Sequence, residues 1–222
     1  MAAHGRVPSS RPTTRGRRTD LAFQEAARRV ISRKGFLRTT ITDIAEEAER
    51  STASFYNYYD SKEALLEVWA EQFRENAIER ARPAYHHGAD PSEVILESVR
   101  AHWATYKEHL AEMVGVLQAA MLNDGFAHHW REIRGEAIDT IANGIRRAQR
   151  AGYAPGMDPL LTASALAAMM NQFCYIWLAQ EGDGEGDLDE EEAVRTLATI
   201  WYRSIYWKPD EAVSKSSPNA AN

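Results

Sequence analysis

Residues 39–62, TTITDIAEEAERSTASFYNYYDSK, constrain the fold of this chain more than any other stretch. Thr40 is a candidate helix N-cap, and Asp43 three positions later is placed to complete a capping box. Apolar residues then recur at spacings of three and four, which predicts one buried face of a short helix. These residues are Ile41, Ile44, Ala45 and Ala48.

A second short helix follows, with small polar residues at its front and aromatic residues behind. It is predicted to begin at Ser51 or Thr52 and to continue through Tyr58, and Asp60-Ser61-Lys62 ends it. Two short helices joined by a tight turn form the helix-turn-helix pattern, whose second helix enters the major groove of DNA. The stretch therefore predicts a DNA-binding module.

The same stretch resembles the DNA-binding signature of the TetR/AcrR family of bacterial regulators. The matching residues are Thr40-Ile41, Ile44-Ala45, Ala48, Ser51, Ser54-Phe55-Tyr56, Tyr58-Tyr59, Ser61-Lys62 and Leu65. The chain departs from the family at the turn, where Glu49-Arg50 replaces the usual Gly-Val. Glycine takes the left-handed backbone conformation without strain, whereas glutamate takes it at a cost. Arg50 is predicted to point outward, toward a DNA phosphate.

Charge is divided unevenly along the chain, whose net charge is −6. Residues 1–62 carry twelve Lys and Arg against seven Asp and Glu, or +5, and residues 63–222 carry fourteen against twenty-five, or −11. A basic N-terminal module on an acidic body predicts an anionic partner at one end. The expected partner is double-stranded operator DNA.

The predicted architecture is all-α, with about nine helices and no alternating strand pattern. Residues 1–18 are expected to form a disordered basic arm, and a merely soluble tail is the alternative to a DNA role for it. A helix-turn-helix domain is expected at 19–62, with its first helix from Thr19 to Lys34. A helical ligand-binding and dimerisation domain is expected at 63–208, followed by a disordered tail at 209–222.

The predicted DNA contacts cluster in the arm, the two short helices and the start of the next helix. They are Arg17, Arg18, Thr40, Thr42, Arg50, Thr52, Ser54, Tyr56, Asn57, Tyr58 and Lys62. Lys62 is expected to hold the DNA backbone. Asn57 is expected to read bases, because an amide forms a bidentate contact with adenine.

The last two helices, predicted at 158–180 and 188–207, are apolar on two sides. A helix of this kind packs on a core with one side and on a partner with the other, which predicts a homodimer joined by a four-helix bundle. The family resemblance implies the same pairing. A monomer with a larger core is the alternative.

Aromatic and methionine residues in the body exceed the needs of a small helical core, which predicts a pocket for a small apolar effector. The predicted lining residues are Trp103, Tyr106, Met113, Leu117, Phe126, Trp130, Asn171, Tyr175 and Trp201. Segments around 166–175 and 199–206 also resemble a mycobacterial subgroup of the family with an elongated apolar ligand tunnel. No Lys or Arg is expected on these faces, so a strongly anionic ligand is predicted to bind poorly. Asn171 and Gln172, in an apolar helix, are expected to need hydrogen-bond partners, which a ligand or a dimer contact could supply.

Catalysis, a cofactor and a metal site are not predicted. The chain has no G-x-S-x-G, Gly-rich phosphate loop or H-E-x-x-H, and its adjacent histidine pairs cannot aim two side chains at one ion. The acidic loop 183–189 lacks the glutamate that a calcium loop requires at its twelfth position. The only cysteine, Cys174, and the absence of an apolar leader segment predict a cytoplasmic protein. The apolar stretch 162–179 is predicted to be a buried helix and not a membrane span.

Three functions remain open on the residues alone. A ligand-responsive dimeric repressor fits the basic arm and the helix-turn-helix. A small-molecule-binding or hydrolytic enzyme would use the N-terminal helices as scaffold only. A DNA binder or activator without a ligand would leave the aromatic residues of the body as ordinary core.

Overall fold

The structure, a computed structural model, describes residues 14–84, 86, 88–180, 182–183 and 188–208. Those residues form nine α-helices and a short 3-10 helix at Arg82–Ala84, with no strand among them. The helices are α1 (Thr14–Lys34), α2 (Ile41–Glu47), α3 (Thr52–Tyr56), α4 (Lys62–Ala81), α5 (Pro91–Glu108), α6 (Leu110–Leu122), α7 (Asp124–Arg150), α8 (Pro159–Ala179) and α9 (Glu190–Ile205). The all-α prediction is confirmed.

The chain divides into two compact units, each built from two segments. The first unit falls within residues 1–74 and 109–132, and the second within residues 75–108 and 133–222. The sequence predicted a division after residue 62, whereas the structure places α6 in the same unit as α1 to α3. One reason is an ion pair between Arg28 Nε on α1 and Glu112 Oε1 on α6, 2.5 Å apart. Local sequence patterns carry no signal for a contact between positions 84 residues apart.

Helix α1 is held in the first unit by a buried apolar stripe. The buried apolar residues of α1 are Phe23, Ala26, Ala27, Val30 and Ile31. The helix begins at Thr14, five residues before the predicted start at Thr19, so residues 14–18 are helical and not part of an irregular arm. These five residues contain no proline to oppose a helix. The rest of the predicted arm, residues 1–13, lies outside the described residues, as does the predicted tail 209–222.

The tight turn between α2 and α3 is formed as the sequence predicted. Thr40 caps α2 in a capping box with Asp43, and Ser51 caps α3 by accepting a hydrogen bond from Ser54 N at 3.1 Å. Glu49 has a φ of 54°, in the left-handed region. The amide of Arg50 donates to Ala45 O at 2.9 Å and closes the turn.

The left-handed conformation of Glu49 predicts a stabilising substitution. We expect Glu49→Gly to raise the free energy of unfolding by about 1 kcal/mol, because glycine takes this conformation without strain. The matched control is Glu46→Gly, at an exposed position within α2, which we expect to lower it by about 1 kcal/mol. Urea denaturation measures both variants. A loss of stability in Glu49→Gly would contradict the strain assigned to this turn.

The second unit contains a core cluster shared by α7, α8 and α9. Its buried members are Ala142, Ile145, Ala148, Ala163, Leu166 and Ile205. Asp158 caps α8 by accepting from Leu161 N at 2.7 Å. Arg100 on α5 pairs with Glu191 on α9, with 3.0 Å between Nη2 and Oε1.

Two helices of the second unit expose apolar side chains. On α8, Leu160 and Leu161 are 50% and 72% exposed. On α9, Ile200 is 47% exposed. In the described part of the chain no helix is long and apolar enough to cross a membrane.

Candidate nucleic-acid interface

Helix α3 has one buried side and one exposed side. Phe55 is fully buried, with its ring centroid 5.3 Å from those of both Phe23 and Tyr59. On the opposite side of this short segment, four residues are exposed, and Tyr56 is 54% exposed. They are Thr52, Ala53, Tyr56 and Asn57. The packing of Phe55 therefore turns a polar face outward, as a recognition helix requires.

Tyr59 ties the segment after α3 to α1. Its hydroxyl donates to Asp20 Oδ1 and accepts from Gln24 Nε2, the latter at 3.2 Å. Burial, and then the hydrogen bond to Asp20, raise the pKa of Tyr59 well above its usual range. The phenol is therefore protonated across the physiological pH range. This long-range link has no signal in the sequence, because the partners lie 35 and 39 residues apart.

Lys62 is partly engaged within the first unit. Its Nζ donates to Phe36 O at 3.1 Å and to Thr39 O at 2.9 Å, and lies 4.3 Å from the centroid of the Phe36 ring. A lysine ammonium has three protons, so these two hydrogen bonds leave one of them unused. The amine thus also fixes the loop before α2, a role that the sequence did not reveal.

The other predicted DNA residues differ in their accessibility. Arg17, Arg18, Thr42 and Arg50 are exposed, whereas Ser54 and Tyr58 are half-buried. The Tyr58 ring lies 5.9 Å from that of Phe23. The Thr40 hydroxyl accepts from Asp43 N at 3.2 Å and donates to the Asp43 carboxylate, so the cap engages it. Arg50 Nη1 donates to Glu49 O at 2.8 Å.

Ion pairs between α1 and α2 neutralise part of the basic charge of this module. Glu47 accepts from Arg29 Nε at 2.6 Å and Arg33 Nη2 at 2.5 Å, and Lys34 pairs with Asp43. Hydrogen bonds from Arg33 and Arg29 lower the pKa of Glu47 to about 2. These groups border a cleft of about 330 Å³. Its lining residues are Val30, Arg33, Lys34, Asp43, Glu46 and Glu47. Because its cations are already paired, the cleft is a poor anion site.

The predicted effector residues are divided between the two units. Met113, Leu117, Phe126 and Trp130 belong to the first unit, and Trp103, Tyr106, Asn171, Tyr175 and Trp201 belong to the second. Within the second unit, Trp103 Nε1 donates to Glu190 Oε2 at 3.2 Å, and its ring lies 6.1 Å from that of Phe173. Phe173 in turn stacks on Trp177 with 5.8 Å between centroids. That all nine residues line one pocket stays a prediction.

Three polar side chains of α8 either form hydrogen bonds or are kept neutral by burial. Asn171, whose place in the effector site stays a prediction, donates from Nδ2 to Ala167 O at 2.9 Å. The helix itself supplies the partner one turn back. Tyr175 OH accepts from Gln180 Nε2 at 3.2 Å. Burial raises the pKa of the Cys174 thiol to about 12, which keeps it unreactive at neutral pH.

Arg134 on α7 is a polar residue that the prediction missed. It lies on the apolar stripe of α7, four residues before Ile138, and is half-buried. Its Nε is buried and has no hydrogen-bond partner among the described residues. A buried donor without a partner costs about 1–3 kcal/mol. Arg134 follows Trp130 by one helical turn, whereas the sequence analysis expected no Lys or Arg on the faces of the effector residues. The sequence does contain a signal for this position, because Arg134 precedes Ile138 and Ile141 at helical spacings of four and then three residues.

Comparison with known families gives two matches, one in the N-terminal part of the chain and one in the rest. Residues 24–68 match the family described as bacterial regulatory proteins, tetR family. Residues 95–207, half of the chain, match the C-terminal domain of the transcriptional regulator EthR. The chain belongs to the TetR family. It is a TetR-family transcriptional regulator with a helix-turn-helix for DNA, and the resemblance stated from the sequence is confirmed.

Relatives of this TetR-family chain match it over nearly its full length. The regulator EthR of Mycolicibacterium smegmatis is 26% identical over 212 residues, covering 92% of this chain and 95% of the relative. EthR of Mycobacterium tuberculosis is 25% identical over 217 residues, covering 92% and 96%. Both are transcriptional regulators.

Two solved structures illustrate the fold that this chain shares with other proteins. Salmonella enterica GusR superposes with a TM-score of 0.68 at 21% identity, covering 88% of this chain and 99% of its own. A tetR-family regulatory protein from Rhodococcus RHA1 superposes with a TM-score of 0.69 at 17% identity, covering 86% and 98%. At these identities the likeness shows the fold alone.

Proposed function

We propose that this regulator is a repressor that binds a palindromic operator as a homodimer. The observation that carries the proposal is α3, whose exposed polar face is held in place by the fully buried Phe55. In a dimer, two such helices would enter successive major grooves about 34–36 Å apart. The DNA contacts proposed are the exposed members of the predicted set, with Lys62 contributing its free proton.

The exposed apolar residues of α8 and α9 support the dimer part of the proposal. Leu161 and Ile200 belong to adjacent helices of one unit and remain accessible to solvent in the single chain. Exposed apolar side chains on both of these helices suit a twofold four-helix interface. Release from DNA would then require a ligand that binds one dimer conformation better than the other.

The effector part of the proposal rests on the second unit. Trp103 and Tyr106 are buried there beside α8, and the ring of Phe173 lies between those of Trp103 and Trp177. Aromatic walls with a few placed polar groups are typical of small-molecule sites. We propose that a largely apolar ligand binds this part of the body and acts as the inducer.

Asn57→Ala tests the assignment of α3 to base recognition. We expect an operator affinity lower by about 1–3 kcal/mol and little change on random DNA, because Asn57 is proposed to contact a base. Arg50→Ala is the comparison. We expect it to lower the affinity for all DNA sequences by a similar amount, and to reduce the slope of log affinity against log salt concentration by about one. Fluorescence anisotropy, with DNA from upstream of the chain's own coding sequence, measures both. An equal loss on operator and random DNA for Asn57→Ala would contradict the assignment.

A further inference from the structure

The first two turns of α1 carry three exposed arginines that form no ion pair within the described part of the chain. They are Arg15, Arg17 and Arg18. The ion pairs that α1 does form use cations further along the helix, namely Arg28, Arg29, Arg33 and Lys34. The first turn of α1 holds no acidic residue, although acidic residues are the ones that stabilise a helix at this end. The three arginines therefore contribute nothing to the stability of α1 and remain available to an anionic partner.

A group of buried polar side chains joins the beginning of α1 to the segment that follows α3. We call Asp20, Gln24 and Tyr59 the α1 clamp. The hydroxyl of Tyr59 donates to Asp20 Oδ1, and Gln24 Nε2 donates to that hydroxyl at 3.2 Å and to Asp20 Oδ2 at 3.3 Å. Tyr59 and Gln24 are both buried. The beginning of α1 and the end of α3 therefore cannot separate unless buried hydrogen bonds are broken.

Arg17 lies on the same face of α1 as the clamp. Arg17, Asp20 and Gln24 follow one another at spacings of three and four, which is the spacing of one helical face. At the helical rise of 1.5 Å per residue, Arg17 lies about 4.5 Å along the axis from Asp20. Both oxygens of the Asp20 carboxylate accept hydrogen bonds within the clamp. The guanidinium of Arg17 is thus held beside the segment that follows α3 and is not neutralised there.

The packing of α1 against α3 determines which part of the DNA the first turns of α1 can reach. Phe23 of α1 packs on Phe55 of α3 with 5.3 Å between ring centroids. The major groove is about 12 Å wide, and packed helices lie about 8–10 Å apart. When α3 enters the groove, a helix packed beside it therefore lies over the edge of the groove. The phosphates are found at that edge, so they are the groups that α1 can contact.

We propose that the α1 clamp positions Arg17 on DNA phosphates just outside each operator half-site, with Arg15 and Arg18 beside it. Asp20 and Tyr59 are then positioning residues, because they do not touch DNA but hold the cation where the phosphate lies. The inference rests on the operator binding of the proposed function and extends the contact beyond the bases that α3 reads. The cations of a flexible arm, in contrast, would reach the DNA whether or not the clamp is formed.

The test compares two lengths of operator DNA. One duplex is cut at the ends of the palindrome, and the other is extended at each end by about ten base pairs of arbitrary sequence, or one helical turn. Binding of the full-length protein is measured by fluorescence anisotropy over a range of salt concentrations. We expect the wild type to bind the extended duplex at least about tenfold more tightly, because each added phosphate contact releases counterions. Equal affinity for the two duplexes overturns the proposal.

Arg17→Gln removes the cation and keeps a long polar side chain at an exposed position. We expect it to reduce the advantage of the extended duplex at least about threefold. The slope of log affinity against log salt concentration on that duplex should fall by about two, one for each subunit of the dimer. Affinity for the short duplex should stay within about twofold of the wild type, since the half-sites themselves are unaffected. Arg150→Gln, at an exposed position of α7, is the control and should change neither affinity. An unchanged salt slope in Arg17→Gln overturns the proposal.

Tyr59→Phe tests the clamp, because it removes the hydroxyl and keeps the ring that packs on Phe55. We expect this variant to lose the advantage of the extended duplex as Arg17→Gln does, although its arginines are intact. Asp20→Asn should keep the advantage, since an amide oxygen still accepts from the Tyr59 hydroxyl. A Tyr59→Phe variant that weakens both duplexes equally has a structural role only. One that keeps the full advantage leaves Arg17 independent of the clamp. Either result overturns the proposal.

The same titrations separate this inference from the proposed function. A wild type that prefers operator to random DNA but binds both lengths of operator equally contradicts the role of the clamp and leaves operator recognition intact. A wild type that binds operator no better than random DNA contradicts the proposed function itself.

Discussion

Ile200→Glu is expected to convert the protein to monomers and to lower operator affinity on the order of 100-fold, because two linked half-sites bind far more tightly than one. Ile200 lies on α9 and is 47% exposed in the single chain. In the proposed dimer its side chain would be covered by the partner, and a carboxylate there would be buried without a counter-charge. Sedimentation velocity at micromolar concentration and operator titration measure the two effects.

Ile78→Glu is the matched control for the dimer prediction. Ile78 is 48% exposed, almost the same as Ile200, but lies on α4, outside the proposed interface. We expect this variant to remain dimeric and to bind operator as the wild type does. A wild type that sediments as a monomer, or a loss of operator binding in Ile78→Glu equal to that of Ile200→Glu, would contradict the proposed interface.

Phe55→Ala is expected to destabilise the helix-turn-helix by about 3–5 kcal/mol, since a fully buried ring is removed and a cavity is left. Phe55 packs between Phe23 and Tyr59, which join α3 to α1. Operator binding should be lost together with the protection of α1 to α3 in hydrogen exchange. Wild-type protection in these helices would contradict the packing described for Phe55.

The neighbouring Tyr56 provides the contrast, because its side chain is 54% exposed. Tyr56→Ala should change the free energy of unfolding by less than about 0.5 kcal/mol, as substitutions at exposed positions usually do. It should nevertheless weaken operator binding by roughly 1 kcal/mol, the size of one lost hydrogen bond. Unchanged DNA affinity would remove Tyr56 from the proposed interface. Phe55→Ala and Tyr56→Ala together distinguish an effect on folding stability from an effect on DNA recognition at adjacent positions.

The helix-turn-helix could be predicted from the sequence because its determinants are local. The capping box of Thr40 and Asp43, the cap at Ser51 and the left-handed Glu49 all depend on residues within four positions of one another. Capping and helical periodicity are short-range effects, so they are visible in the linear chain. The family resemblance adds the matching positions of α3, and it was confirmed by the comparison with known families.

Several features of the candidate site depended on contacts between distant parts of the chain. The partners of Tyr59 on α1, the engagement of Lys62 by the loop before α2, and the pairing of Arg28 with Glu112 all join separate helices. No periodicity encodes such contacts, because they follow from the way packed helices bring distant positions together. The helical start at Thr14 was missed for another reason, since a segment rich in arginine suggests an irregular arm.

The sequence by itself determined the class of fold, the two short helices, their caps and the family, because all of these follow from local spacing and composition. The tertiary structure decided which polar groups are free to act. It engaged Tyr59 with Asp20 and Gln24, and it engaged Lys62 with the carbonyls of Phe36 and Thr39. It left the Nε of Arg134 buried without a hydrogen-bond partner in the described chain. Whether a polar side chain is satisfied depends on what packs around it, and that surrounding is assembled from residues far apart in the chain.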